Sequence, residues 1–267
     1  QGGTVGATGR LDVSDSELKL GADLDITGTL AANGGSQWSG WDGTLDLSAG
    51  TLEASGGSLS LAQFITGAGS TLKLSDNTEI TSNTDYTFGT LDLAGYELIM
   101  GDSGGLTLPN ELTLTAGSEI ETRTSDLTLS SELLLSAGSI TSTGGTLSFA
   151  GGLAVSGEGY MSVLDSTLSV SQNLDFISSA SFESSVLDLQ GATTLTSNGP
   201  VSFKKANLNN KVLTLGSAGT HLKLTDSNET LSLNNLALET GAGSLTLSGQ
   251  LSLSNNGQLN STGGTIT

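Results

Sequence analysis

The sequence predicts an all-β chain wound as a right-handed single-stranded parallel β-helix, a β-solenoid of about 20 residues per coil with a roughly triangular cross-section. Three observations lead there. Leucines recur at Leu106, Leu127, Leu147, Leu168 and Leu187, with successive differences of 21, 20, 21 and 19. Second and third apolar positions follow in each block, at Leu112, Leu133, Leu153 and Leu174, and at Ile120, Ile140, Met161 and Phe182. Within a block the apolar residues alternate as x-Leu-x-Leu, the period of half-buried strands. Self-similarity at this spacing means stacked units, none of which buries its hydrophobic face alone.

One block shows how a coil is built. In Asp126-Leu127-Thr128-Leu129-Ser130 the leucines point inward and the threonine outward, because Cβ direction alternates along a strand. Ser130-Ser131-Glu132 turns a corner, Leu133 and Leu135 form the second strand, and Ala137-Gly138-Ser139 turns again. Ile140 centres a third strand. Ser142-Thr143-Gly144-Gly145 then closes the coil, with glycines that permit positive φ at a tight bend. Equivalent strands of successive coils lie parallel, about 4.8 Å apart. A strand–crossover–strand connection of this kind is right-handed in nearly all cases.

Regularity divides the chain. Residues 106–267 read as regular coils and stop in mid-repeat at Thr265-Ile266-Thr267. Residues 1–105 read as irregular coils with insertions or shortened sides, a distinct cap being the alternative. The string Ser-Thr-Gly-Gly-Thr at 142–146 returns at 261–265, and the 119 residues between their glycines fit six coils of constant length. Register is ambiguous between Leu195 and Leu238. Helical packing is disfavoured by 38 glycines and abundant Ser and Thr. Only Pro109 and Pro200 occur, as suits hydrogen-bonded strands.

Charge narrows the function. The 27 acidic and 8 basic residues leave a net charge of −19. Nucleic acid is excluded as a partner, since phosphate recognition needs a basic footprint. Docking on an anionic bilayer is disfavoured for the same reason. No apolar run reaches the roughly 18 residues of a membrane span. Cysteine is absent, so no thiolate metal site or disulfide frame exists. The start at Gln1 without a signal-like segment suggests a processed or excised piece.

No catalytic residue is expected. A glycosidase on this scaffold needs outward carboxylates stacked one or two coils apart. Asp188 instead stacks on Ser169 and Ser148, and Asp175 on Ala154 and Leu134. Lys204 and Lys205 should face opposite sides of a strand, and His221 is the only histidine. Metal binding has one candidate, Glu111 and Glu132, which precede the second strand in successive blocks. That pair would hold Ca²⁺ with help from carbonyls and water. The expected reading is a solvated corner and no cofactor. Trp38 and Trp41 are the ligand-binding candidates, as an exposed platform for a sugar or protein; packing under a loop is the bland alternative. An ice-binding array is not kept, because Thr128 is followed by Ser148, Ser169 and Asp188.

The repeated Thr-Leu-x-Leu…Leu-x-Leu…Gly-x-Ile…Gly-Gly pattern resembles the β-helical stalks of autotransporter passengers and filamentous-haemagglutinin-type exoproteins. The resemblance covers residues 106–198 and 245–267 best and carries no functional residue across. It implies a bacterial cell-surface or secreted location, adhesion, and fibre or matrix formation. Its expected partners are further repeats of the same array, end-to-end copies, and host or matrix glycans or proteins. The alternative is a carbohydrate-binding or carbohydrate-active parallel β-helix, lyase- or glycosidase-like, with a groove in the N-terminal third.

Overall fold

A computed structural model describes residues 2–19, 21–39, 44–61, 64–82, 84–101, 104–178, 180–217, 219–234 and 237–267. Every helix-or-strand element among them is a strand, and neighbouring strands pair in parallel. The chain is a β-solenoid of about 12 turns with roughly 21 residues per turn. It divides into two compact units, 1–130 and 131–267.

The second unit carries the coil in its simplest form. One wall stacks Leu133–Leu135, Leu153–Val155, Leu174–Phe176, Thr193–Ser197, Leu213–Leu215, Ala237–Gly241 and Gln258–Ser261. A second wall stacks Thr146–Phe149, Thr167–Val170, Val186–Leu189 and Lys205–Asn207. Ser139–Ser142, Tyr160–Val163 and Ala180–Ser181 form the third. Inward residues meet their own kind: Leu147 pairs with Leu168 and Leu168 with Leu187, all fully buried. Each such leucine contributes about 1.5–3 kcal/mol by burial. Phe176 packs tilted against Phe182, and Phe182 stacks on Phe203, with centroids 4.9 and 4.7 Å apart.

Corners inside this column are polar, and serine satisfies them. Ser142, Ser166 and Ser185 are buried one above another. Ser142 Oγ lies 2.7 Å from Gly144 O and 2.9 Å from Ser166 Oγ, and Ser185 Oγ donates to Val163 O at 2.8 Å. Carbonyls left without a ladder partner at the bend thus find a donor, as buried backbone groups must.

The register of outward residues agrees with the sequence reading. Ser148, Ser169 and Asp188 stack in line, as do Leu134, Ala154 and Asp175. The closing string is a correction. At 142–146 it joins Ser139–Ser142 to Thr146–Phe149, but at 261–265 it follows Gln258–Ser261 and leads to Ile266, which bridges to Leu245. Leu245 belongs with Leu222 and Val201, not with Leu147. At roughly 21 residues per turn, 119 residues make about five and two-thirds turns, so the same pentapeptide serves a different corner.

Unit one owes its irregular spacing to two long strands, Thr51–Ser60 and Thr71–Thr81. They pair with each other through a register shift between Leu74 and Asp76. The bend falls at Gly56 and Gly57, with φ of +90° and +75°, and a Cβ at Gly57 would come within 2.5 Å of Gly34 Cα. Thr71–Thr81 then pairs with both Thr90–Asp92 and Glu97–Met100, so one continuous strand faces two separated by a turn. A third set stacks Tyr86–Thr87, Leu106–Leu108 and Leu127–Leu129. Here Thr87, Thr107 and Thr128 align outward.

Candidate functional site

The tryptophan candidates gain no geometry. Strand Gln37–Ser39 pairs with Glu17–Lys19, placing Trp38 beside Leu18 in register. The Trp38 side chain and Trp41 lie outside the described residues. Glu111 is exposed in the first unit and Glu132 is exposed in the second. Among the described residues, no three His, Asp or Glu side chains are grouped so as to hold a metal ion.

A carboxylate cluster that the sequence reading missed lies on the outer face of unit one. Glu97 pairs with Glu119 in register, one turn apart, and Ile99 stands between Glu79 and Glu121 on the next outward row. Strand spacing puts the Glu97 and Glu119 backbones about 4.8 Å apart. Arg123 ties this row together: its guanidinium donates to Glu79 Oε1 at 2.6 Å and to Glu121 Oε1 at 3.3 Å. Burial works against that charge, but the bonds to Glu121 and Glu79 outweigh it and push the Arg123 pKa up. Glu97 is pushed the other way from an ordinary surface carboxylate. Partial burial raises its pKa first, and the negative charges of Glu119 and Glu121 add to this against Arg123. Chemically, two stacked carboxylates with one held toward its neutral form could donate and accept a proton.

The second unit holds a cleft where its wall is interrupted. Lys205–Asn207 pairs with Val186–Leu189 on one side. The next turn supplies Thr230–Asn234, which among the described residues pairs only with Gln250–Ser254. Between them the ladder is not formed. The cause is a longer coil: Leu213 pairs with Leu238, 25 residues on, because a five-residue turn at 225–229 replaces the usual short corner. The gap opens a cleft of about 370 Å³, open solvent included. Its floor is Leu224, Leu231 and Leu247, and its rim carries Lys204, Lys205, Asn207, Asp226, Glu229 and Gln250. Lys205 Nζ reaches Glu229 Oε1 at 3.2 Å.

Both lysines line this cleft, whereas strand alternation predicts opposite faces. Lys204 sits at a bend ahead of the strand. Its N–H donates to Ser185 O at 2.8 Å and its carbonyl accepts from Asp226 N at 3.0 Å, so period two does not run through it. His221, on the outer face, contacts Thr246 Oγ1 through Nε2 at 2.8 Å. Asp188 accepts from Gln190 and Asn209 side chains, an arrangement of solvated polar ladders.

Compared with models of protein families, with curated proteins and with solved structures, the chain matches none.

Proposed function

We propose that this chain is a non-enzymatic structural and adhesive β-solenoid, a stiff acidic segment of a bacterial surface adhesin, stalk or fibre. The single observation that carries this reading is leucine-on-leucine register, repeated turn after turn within each unit. A column in which each turn touches its neighbours lengthens without changing its chemistry, which is what a spacer needs. The outer positions are mostly Ser, Thr and carboxylates, and the net charge of −19 keeps such a surface hydrated and disperse. An extracellular location belongs to the same reading, and the resemblance of the repeat to bacterial surface stalks supports it.

Its partners on this reading are further repeats of the same array or a second copy, joined strand to strand. Residues 240–267 carry no charged side chain in a chain otherwise rich in acids. Leu251 and Leu253 there are 36 % and 52 % exposed. Host or matrix glycans or proteins would be the adhesive target. Electron microscopy of the purified chain, with an adhesion assay on immobilised matrix, tests the proposal. Rods or filaments that retain matrix are expected, and dispersed globules that retain nothing would overturn it.

A second reading, carbohydrate-active enzyme, is favoured by one observation, the in-register Glu97 and Glu119 with Glu97 biased toward its protonated form. Retaining glycosidases use carboxyl groups about 5–5.5 Å apart. Polysaccharide turnover lost in both Glu97→Gln and Glu119→Gln would establish it. On the adhesive reading no turnover is expected, and the two glutamates are members of a charge ladder in which Arg123 pairs with Glu79 and Glu121.

A further inference from the structure

The interrupted wall of unit two coincides with an abrupt change of charge. From residue 189 to 225 the chain has four lysines, half of its eight basic residues, and no carboxylate. Asp226 and Glu229 then follow in the turn that lengthens the coil. The cleft therefore sits where a basic stretch meets two acids, on a molecule of net charge −19. Lys204 is exposed and forms no ion pair among the described residues, while Lys205 is engaged by Glu229. Asp226 is oriented by the N–H of Asn228, which donates to its Oδ1 at 2.9 Å.

We propose that this cleft binds an acidic sugar, a pyranose with a single carboxylate, as at the end of an acidic glycan. Lys204 takes the ligand carboxylate in a charge-assisted bond. Asp226, Asn207 and Gln250 take ring hydroxyls, which both donate and accept. The leucine floor covers the apolar face of the ring. Two features select this class over a more highly charged anion. The acids at the rim repel a second negative charge, and they accept hydrogen bonds that only hydroxyls supply.

The inference rests on the adhesive reading, to which it adds a target chemistry, and the two fail separately. The test is a titration of the full chain with D-glucuronate and with D-glucose, followed by NMR or calorimetry. Glucuronate is expected to bind about tenfold tighter than glucose, which corresponds to about 1.4 kcal/mol. Lys204→Met should abolish that preference, and added salt should weaken glucuronate alone. Lys211→Met, outside the cleft, should change neither sugar. Asn207→Asp is the second variant, placing a like charge at the rim, and should weaken glucuronate most. Equal binding of the two sugars, no saturable binding of either, or an unchanged preference in Lys204→Met with native thermal unfolding would overturn the site. Adhesion to matrix without uronate binding would overturn the site and leave the adhesive reading standing. Uronate binding without adhesion would uphold the site and remove the reading.

Discussion

Leu134 and Leu135 are neighbours of the same type on one strand, and they should respond to truncation in opposite ways. Leu135 is 1 % exposed and stacks on Val155, which in turn stacks on Phe176. Leu134 is 56 % exposed and stands outward beside Ala154. Leu135→Ala removes three buried carbons, about 2.4 kcal/mol of transfer free energy at about 0.8 kcal/mol each. The residual cavity adds to this, because the neighbouring row, Leu153–Val155, is pinned by ladder hydrogen bonds and collapses little. A total of about 3–4 kcal/mol follows, within the range measured for buried Leu→Ala. Leu134→Ala should cost under about 1 kcal/mol, as a mostly exposed substitution does. For a unit of this size the difference corresponds to roughly 10 °C in the unfolding midpoint. Thermal unfolding followed by circular dichroism, with urea titration as a second measure, reads both variants. Equal losses, or a larger loss at Leu134, would show that the inward and outward faces are assigned wrongly.

Three other perturbations probe polar features. The Tyr86 hydroxyl is buried without a hydrogen-bond partner among the described residues, and burial holds its pKa far above the usual phenol value; Tyr86→Phe should stabilise the chain by about 1 kcal/mol, and a fall in the midpoint would mean the hydroxyl is satisfied in solution. Glu97 has a folded pKa above its unfolded value, so its favourable contribution is complete below the unfolded pKa and is lost as pH rises through the folded one. Glu97→Gln should therefore gain up to about 1 kcal/mol at neutral pH and little in acid; a difference independent of pH would refute the assignment. Deleting residues 226–229 returns the 25-residue coil to the common length and lets Thr230–Asn234 pair on Lys205–Asn207. Unchanged or raised thermal stability with loss of uronate binding is the expected outcome, and unfolding would show that the turn is needed by the column.

Periodic aliphatics made the inward rows legible, because burial selects residue type at every second position and repeats the choice each turn. That is why Ser148, Ser169 and Asp188 could be aligned by counting. Counting fails wherever a coil changes length. The pentapeptide at 142–146 and 261–265 has the same backbone task at both places, a tight polar bend closed by serine, with Ser142 Oγ on Gly144 O and Ser261 Oγ on Gly264 O. A bend of that kind fits any corner, so identical residues did not imply an identical place in the turn. The Glu97 and Glu119 pair was hidden for a related reason: a 22-residue step joins them across the border between loose and regular spacing. The recurring Glu before a buried aliphatic, Glu97-Leu98 and Glu119-Ile120, was the signal available. For the cleft, the signal was the acid-free run ending at Asp226, which marks chemistry that leucine counting ignores.

Interruption of one wall is tolerated because the others continue. Beside the gap, Leu195 pairs with Leu215, Leu213 with Leu238 and Leu238 with Leu259, the first four of these leucines buried and Leu259 half-buried. Stability in a stacked array is approximately a sum of nearest-neighbour terms. Losing the few hydrogen bonds of one three-residue row subtracts a local term and leaves the column intact. A coil can thus run long and carry other side-chain chemistry while the regular coils keep the column intact. The same additivity explains why unit two combines uniform rows of leucine with a single stretch of concentrated lysine. In such a chain the departures from about 21 residues per turn, rather than the repeat itself, are where specificity is to be sought.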